Sequence, residues 1–446
     1  MSSSDTSGNW TVAQYRDQLS DPAIDVQAFY KAHVQYTQEA DQALQSFVSL
    51  DAQVTQQQCD VLQYQKVSGQ ALGSLFGVPV AVKDIVGTMD YPTGCGSRIY
   101  DGRYVDLDAT IVHRLRQHGA VIYGKTVTTE FATFHPGPTR NPHDLDRTPG
   151  GSSSGSAAAV AAGLVPVALG SQTNGSVIRP ASFCGVFGFK PSMGELPRTG
   201  VWEQSPSLDQ MGLYARNIED LALVGQVMAG DDQQDSASRG HGLRHWHFEA
   251  TSMPPKKPTF AFMRTPWWDQ MDPEAQQACT QFVEAMRGTV EWVDMPSGFE
   301  RVVSWHHQVN EAELANALYF EYLHQKEALS PALQARIEKA QAITAQDYLF
   351  AKSRMSYVAT AFDAFFEQYD AILTPSALGA APLGLEATGN PIMQTLWTFA
   401  GLPAVSLPLL TVQDGLPLGV QAIGPYLCDG KLLRACRYLT EAYSAQ

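Results

Sequence analysis

Cysteine is scarce in this 446-residue chain and nowhere closely paired. The six, Cys59, Cys95, Cys184, Cys279, Cys428 and Cys436, are scattered, and no two stand in a Cys-x-x-Cys spacing. That argues against a disulfide framework or a zinc-ribbon spacing, so reduced thiols and a cytoplasmic location are expected. No apolar run approaches the ~20 residues of a membrane-spanning helix. A basic excess is missing too: 30 Lys and Arg stand against 45 Asp and Glu, a formal net charge of −15. Such a surface opposes non-specific binding to nucleic acid. Met1-Ser2-Ser3-Ser4-Asp5 has neither the basic nor the apolar stretch of an export leader, so none is expected. No internal repeat is visible. His241, His245 and His247 lie in a polar, irregular stretch without a supporting carboxylate pattern. His306-His307 is no stronger, so neither metal nor cofactor is expected.

What the chain does have is a run of glycine, serine and alanine in its first half. Gly150-Gly151-Ser152-Ser153-Ser154-Gly155-Ser156 opens into Ala157-Ala158-Ala159-Val160-Ala161-Ala162-Gly163. A second loop follows at Leu169-Gly170-Ser171-Gln172-Thr173-Asn174-Gly175-Ser176, continuing into Val177-Ile178-Arg179-Pro180-Ala181. Loops of this kind bring hydroxyls and bare backbone N–H groups together. Acyl transfer needs that combination: a nucleophile, a proton relay and donors for a developing oxyanion. A flexible linker does not fit, because the run opens directly into an apolar helix. An anion site at the N-terminus of that helix, with Ser156 as cap, is a second reading.

These two segments resemble the amidase signature family, hydrolases with a Ser–Ser–Lys triad. The resemblance starts near Leu72 and is closest from Gly77 to Gly212. It returns from Tyr369 to Leu433, through Asp370-Ala371-Ile372-Leu373-Thr374-Pro375 and Gly401-Leu402-Pro403-Ala404. It implies an α/β fold: one large domain over residues 1–446, with a mixed β-sheet core flanked by helices. It also implies N-terminal helices over about 10–50 and a variable helical insert over about 270–370. Ser176 is then the nucleophile. The backbone N–H groups of Thr173, Asn174, Gly175 and Ser176 form the oxyanion hole. Ser152 is the relay, held in the family by a cis peptide. Lys83 is the base, and it can accept a proton only if burial keeps its amine neutral. Lys83 ends the apolar strand expected at Gly77-Val78-Pro79-Val80-Ala81-Val82-Lys83-Asp84, where burial is natural. Thr93-Gly94-Cys95-Gly96-Ser97 and residues 124–132 resemble family segments that shape the site from neighbouring loops. Ser207-Leu208-Asp209-Gln210 matches as a structural element.

Two positions depart from the family pattern. Gln172 stands where Asp is common, and Asn174 where Gly is common. Gln172 carries no negative charge, so Arg179 loses a charged partner if the family aspartate pairs there. Asn174 tolerates positive φ better than most residues, and its side chain must fit beside the substrate.

Local patterns place the remaining elements. Val12 to Leu50 reads as helical, residues 108–118 as a helix with Ile111, Val112 and Leu115 on one side, and Ala120-Val121-Ile122-Tyr123-Gly124 as a buried strand. Residues 1–9 read as loose, and 231–240 as a disordered loop. Gly151-Ser152-Ser153-Ser154-Gly155 also fits the Gly-x-Ser-x-Gly elbow with Ser153 as nucleophile, but the elbow needs a preceding strand, and Asn141 to Pro149 reads as loop. Trp202, Trp305, Trp397 and Phe399 hint at an apolar pocket, though each alone is more readily core.

The expected function is therefore hydrolysis of a carboxamide to an acid and ammonia or amine. One alternative is the glutaminase-type A subunit of an aminoacyl-tRNA amidotransferase complex. Another is a non-catalytic amide-binding homologue. The expected partner is a small-molecule amide, with no nucleic acid and no membrane; a homodimer is left open.

Overall fold

A computed structural model describes residues 9–133 and 135–446. Eleven strands among them form one sheet: β1 (Phe47–Ser49), β2 (Pro79–Lys83), β3 (Val121–Thr126), β4 (Val167–Gln172), β5 (Phe187–Lys190), β6 (Gln210–Ala215), β7 (Phe260–Arg264), β8 (Val290–Asp294), β9 (Ala371–Pro375), β10 (Ala404–Val412) and β11 (Leu416–Ile423). Their order is β1-β3-β2-β4-β6-β5-β10-β11-β9-β7-β8. β3, β2 and β4 run parallel, as do β9, β7 and β8. The strands between them pair antiparallel. This is the expected mixed sheet flanked by helices in one domain.

Every residue of β2, β3, β4, β6 and β9 is buried. Helices cover both faces, which is why these strands read as continuous apolar runs rather than as alternations. Pro79 is tolerated because it is the first residue of β2. The helix expected near 108–118 spans Thr110–Gln117 and buries Ile111, Val112 and Leu115.

Three expectations need correction or comment. Residues 12–50 form helices Val12–Ser20 and Val26–Leu44, but their last part is the edge strand β1. Gln45 takes a left-handed φ of 54° and ends the helix. Asp41 then receives the Ser46 and Phe47 backbone N–H groups, and Phe47 pairs with Thr126. Residues 231–240 are ordered, with Asp235 and Ser238 buried. Asp235 grips the Arg198 guanidinium at 2.8 and 3.1 Å, a bidentate pair that a count of polar residues cannot reveal. Of the stretch read as loose, residues 1–8 lie outside the described residues.

Topology positions the site. β2 and β4 are parallel neighbours, with Val82 opposite Leu169, so Lys83 and Ser171 arrive at the same end of the sheet. The Ser154–Ala161 helix approaches that end from the side. A Cβ on Gly155 would lie 2.1 Å from the Ser46 carbonyl oxygen and 2.5 Å from Val127 N. Only glycine admits this approach, and it brings the preceding serines onto Lys83.

Candidate active site

Lys83 is fully buried. Its Nζ lies 2.7 Å from Ser152 Oγ and 2.8 Å from Ser171 Oγ. Burial pushes the amine down to about 7, against the opposing pull of Asp209 and Cys95. A lysine in that state holds a substantial neutral fraction near neutral pH and can take a proton from a hydroxyl.

Ser152 follows a cis peptide bond from Gly151, and its carbonyl receives Thr129 N at 3.3 Å. The loops expected to shape the site do surround it. Phe131 N bonds to Cys95 O and Cys95 N to Asp84 O, while Lys125, paired to Asp84 at 3.2 Å, reaches Thr93 Oγ1 at 2.7 Å. Ser153 has another role. Its hydroxyl meets both the N–H and the carbonyl of Ser171 at 3.2 Å, fastening the helix to β4, and no strand precedes it. Ser156 does not cap the helix either; it bonds across to Leu169 O at 2.7 Å.

The loop after β4 carries the remaining residues. Thr173 Oγ1 donates to Asp209 Oδ1 at 2.6 Å, and Asp209 Oδ2 accepts from Gln204 N and Ser205 N. Burial raises the Asp209 carboxyl to about 6. Tyr214 OH donates to Ser176 O at 3.0 Å. Ser176 is partly exposed and lines a small cavity with Thr133, Asn174, Arg179, Gln204 and Asn310 among its neighbours. Among the described residues no hydrogen bond joins Ser176 to Ser152, so the structure closes the Lys83–Ser152 contact and leaves the second one open.

The two unusual residues have settled local roles. Gln172 Oε1 accepts from Val177 N at 2.8 Å and Ile178 N at 3.0 Å, and its Nε2 donates to Thr398 Oγ1 at 2.9 Å. The neutral amide thus satisfies two N–H groups at the start of the Ile178–Cys184 helix. Arg179 is buried, donates to Gly151 O at 2.6 Å and Thr388 Oγ1 at 3.1 Å, and is pushed down to about 10 by burial. Asn174 needs no left-handed backbone, since it is absent from the positive-φ residues. Its side-chain Oδ1 accepts from Thr395 Oγ1 at 2.8 Å.

The family model described as Amidase matches residues 28–433. The chain belongs to the amidase family. That membership carries amide C–N hydrolysis as the family chemistry. The A subunit of a glutamyl-tRNA(Gln) amidotransferase from Cyanothece sp. is 33% identical over 430 residues, 87% of this chain and 89% of that protein. A solved peptide amidase in complex with the competitive inhibitor chymostatin is 26% identical, with a TM-score of 0.86 over 97% of each chain. A chain from a vestigial protein complex tied to the origins of an s-triazine catabolic enzyme is also 26% identical. Its TM-score is 0.89, over 97% of this chain and 98% of that one.

In this member of the amidase family, several site neighbours escaped the sequence. Ser171 is the second partner of Lys83, and its place one residue before Gln172 in a buried strand was the only available signal. Asp209 had a signal as part of a family-like segment, but not its link to Thr173. His306 lies 133 positions beyond Thr173 and bonds its carbonyl, a contact no local pattern encodes. The aromatic hints divide: Trp397 and Phe399 are core, whereas Trp202 lines a neighbouring cavity with Ile85 and Met211.

Proposed function

We propose that this chain hydrolyses a carboxamide through an acyl-Ser176 intermediate, with Ser152 as relay and Lys83 as base. Ser176 Oγ attacks the carbonyl carbon as its proton passes to Ser152 Oγ and the Ser152 proton passes to neutral Lys83 Nζ. The N–H groups of Thr173, Asn174, Gly175 and Ser176 receive the oxyanion. The relay then protonates the leaving nitrogen, the C–N bond breaks, and ammonia or an amine departs. Water attacks the acyl ester and gives a proton to the relay. The acid leaves, and Ser176 Oγ recovers its proton.

The observation that supports this reading most is the 2.7 Å contact between Ser152 Oγ and a buried amine lowered to about 7. The mostly polar side chains around Ser176 favour a small amide with hydrogen-bonding groups on its acyl part. The test is labelling with a fluorophosphonate, followed by peptide mass spectrometry. An adduct on Ser176 that disappears in Lys83→Ala supports the relay. An adduct on Ser153, or amide turnover that survives Ser176→Ala, sinks it.

A second reading is favoured by the amidotransferase A subunits, which match over most of their length. Here the same chemistry supplies ammonia from glutamine inside a complex. Glutaminase activity that appears only after further subunits copurify supports this reading; full activity of the isolated chain on simple amides rejects it.

A further inference from the structure

Three successive carbonyls of the loop before Ser176 are each held by a donor from a different element. His306 Nε2 lies 2.9 Å from Thr173 O. The Thr398 hydroxyl donates to Asn174 O. The backbone N of Arg179 donates to Gly175 O at 3.0 Å. A trans peptide is planar, and its N–H points opposite to its C=O. Holding these carbonyls from outside therefore turns the N–H groups of Asn174, Gly175 and Ser176 the other way. None of these three N–H groups donates to a protein acceptor among the described residues.

The three tethers are not equivalent. The bond to Gly175 O is the first turn of the Ile178–Cys184 helix and needs no special side chain. Thr398 is a short hydroxyl whose Oγ also accepts from Gln172. His306 comes from the Val302–Ala317 helix, far along the chain, and its ring is buried. A carbonyl oxygen only accepts, so Nε2 must carry the proton, and this bond fixes the tautomer. Burial holds the ring well below its ordinary pKa, at about 4, with Glu311, His307 and Arg336 as the charged neighbours. The ring therefore remains a neutral donor through the working range. The same helix meets the loop's supports through Asn310, which accepts from Gln204 Nε2 at 2.8 Å, and Glu313, which accepts from Ser207 N at 3.0 Å.

We propose that His306 is a positioning residue for the oxyanion hole: its Nε2–H holds the Thr173–Asn174 peptide so that the Asn174 N–H faces the attacked carbonyl oxygen. The proposal rests on the acyl-Ser176 reading. It gives a function to a histidine that metal chemistry leaves without one.

The test compares His306→Ala, His306→Phe and His306→Gln with the wild type. Phenylalanine fills the space without a donor, and glutamine returns an N–H at similar reach. The first readout is the second-order rate of Ser176 labelling by a fluorophosphonate, whose phosphoryl oxygen enters the hole. The second is the affinity for a trifluoromethyl ketone, which forms a tetrahedral adduct, against affinity for the matching carboxylic acid, which does not. We expect Ala and Phe to label at least ~10-fold more slowly and to lose ketone affinity with acid affinity kept, because one lost oxyanion donor typically lowers turnover ~100-fold or more. Glutamine should recover most of both. If alanine does not fold, the Phe and Gln pair still decides. Wild-type labelling in Phe overturns the proposal, as does equal slowing in Phe and Gln. Absence of any Ser176 adduct in the wild type overturns the acyl-enzyme reading itself.

Discussion

Lys83 is where the residue scale and the chemistry meet. Its ammonium is desolvated, so its neutral form is favoured near neutral pH. Since the relay requires that form, kcat/KM should rise as pH increases through about 7 and level off above it; a flat profile from pH 5.5 to 8.5 contradicts the assignment. The same burial costs stability. The folded pKa is below the unfolded 10.5, so the unfolded chain binds more protons between about 7 and 10.5. The cost is therefore fully present below pH 7 and fades toward 10.5. A lowering of that size corresponds to about 5 kcal/mol, and losing two hydrogen bonds returns about 1 kcal/mol each. Lys83→Met should then abolish turnover while stabilising the fold by about 3 kcal/mol at pH 6 and destabilising it by about 1 kcal/mol at pH 10 in urea unfolding. Gln172 makes the opposite case. Gln172→Leu leaves the Val177 and Ile178 N–H groups buried and unpaired, and each such group costs about 1–3 kcal/mol. The expected result is a drop of about 2–6 kcal/mol in calorimetric or urea stability, with slower Ser176 labelling because the adjoining loop is loosened.

At the scale of elements, the Val302–Ala317 helix is a brace rather than a cover. Glu313 accepts from Ser205 Oγ, from Ser207 N and Oγ, and from Tyr348 OH. It thereby joins two helices to the 203–209 loop, whose Asp209 holds Thr173. Glu313→Ala removes one carboxylate and strands several buried donors. It should cost about 3 kcal/mol and raise proteolytic cleavage within 203–209, whereas Glu313→Gln, which keeps one acceptor oxygen, should recover part of both. Unchanged protease sensitivity in the alanine variant rejects the brace. The sequence showed this region to be helical, because composition and local propensity report helices. It did not show which loop the helix supports, since those partners lie some 100 residues away.

At the scale of the whole molecule, buried titratable groups set the pH response. Lys83 and Lys190 are both lowered to about 7 by burial, so each adds stability as pH rises from about 7 toward 10.5. Buried Cys59, Cys95 and Cys279 are raised to about 12. Their folded pKa exceeds the unfolded 9.0, so the stability they contribute is lost as pH rises from about 9 to 12. The melting temperature should therefore rise between pH 7 and about 8.5 and fall beyond about 9.5. Differential scanning calorimetry across that range tests it; a steady decline from pH 7 would show that the buried lysines do not govern this window.

What the sequence determined by itself was local or short in range: continuous apolar runs for strands buried on both faces, the glycine and serine loops, and Lys83 at the end of β2. It also carried the family pattern over residues 28–433. Those features follow from residue size, backbone freedom and burial, which one stretch of chain expresses alone. Only the tertiary structure decided that Ser171 shares Lys83 with Ser152. The same holds for Gln172 on Thr398, Asn174 held by Thr395, Asp235 ordering a polar loop, and His306 on the Thr173 carbonyl. Each depends on a hydrogen-bond partner supplied by a distant element. A buried polar group must be satisfied, but its sequence does not say by which partner, so only the assembled fold makes that choice.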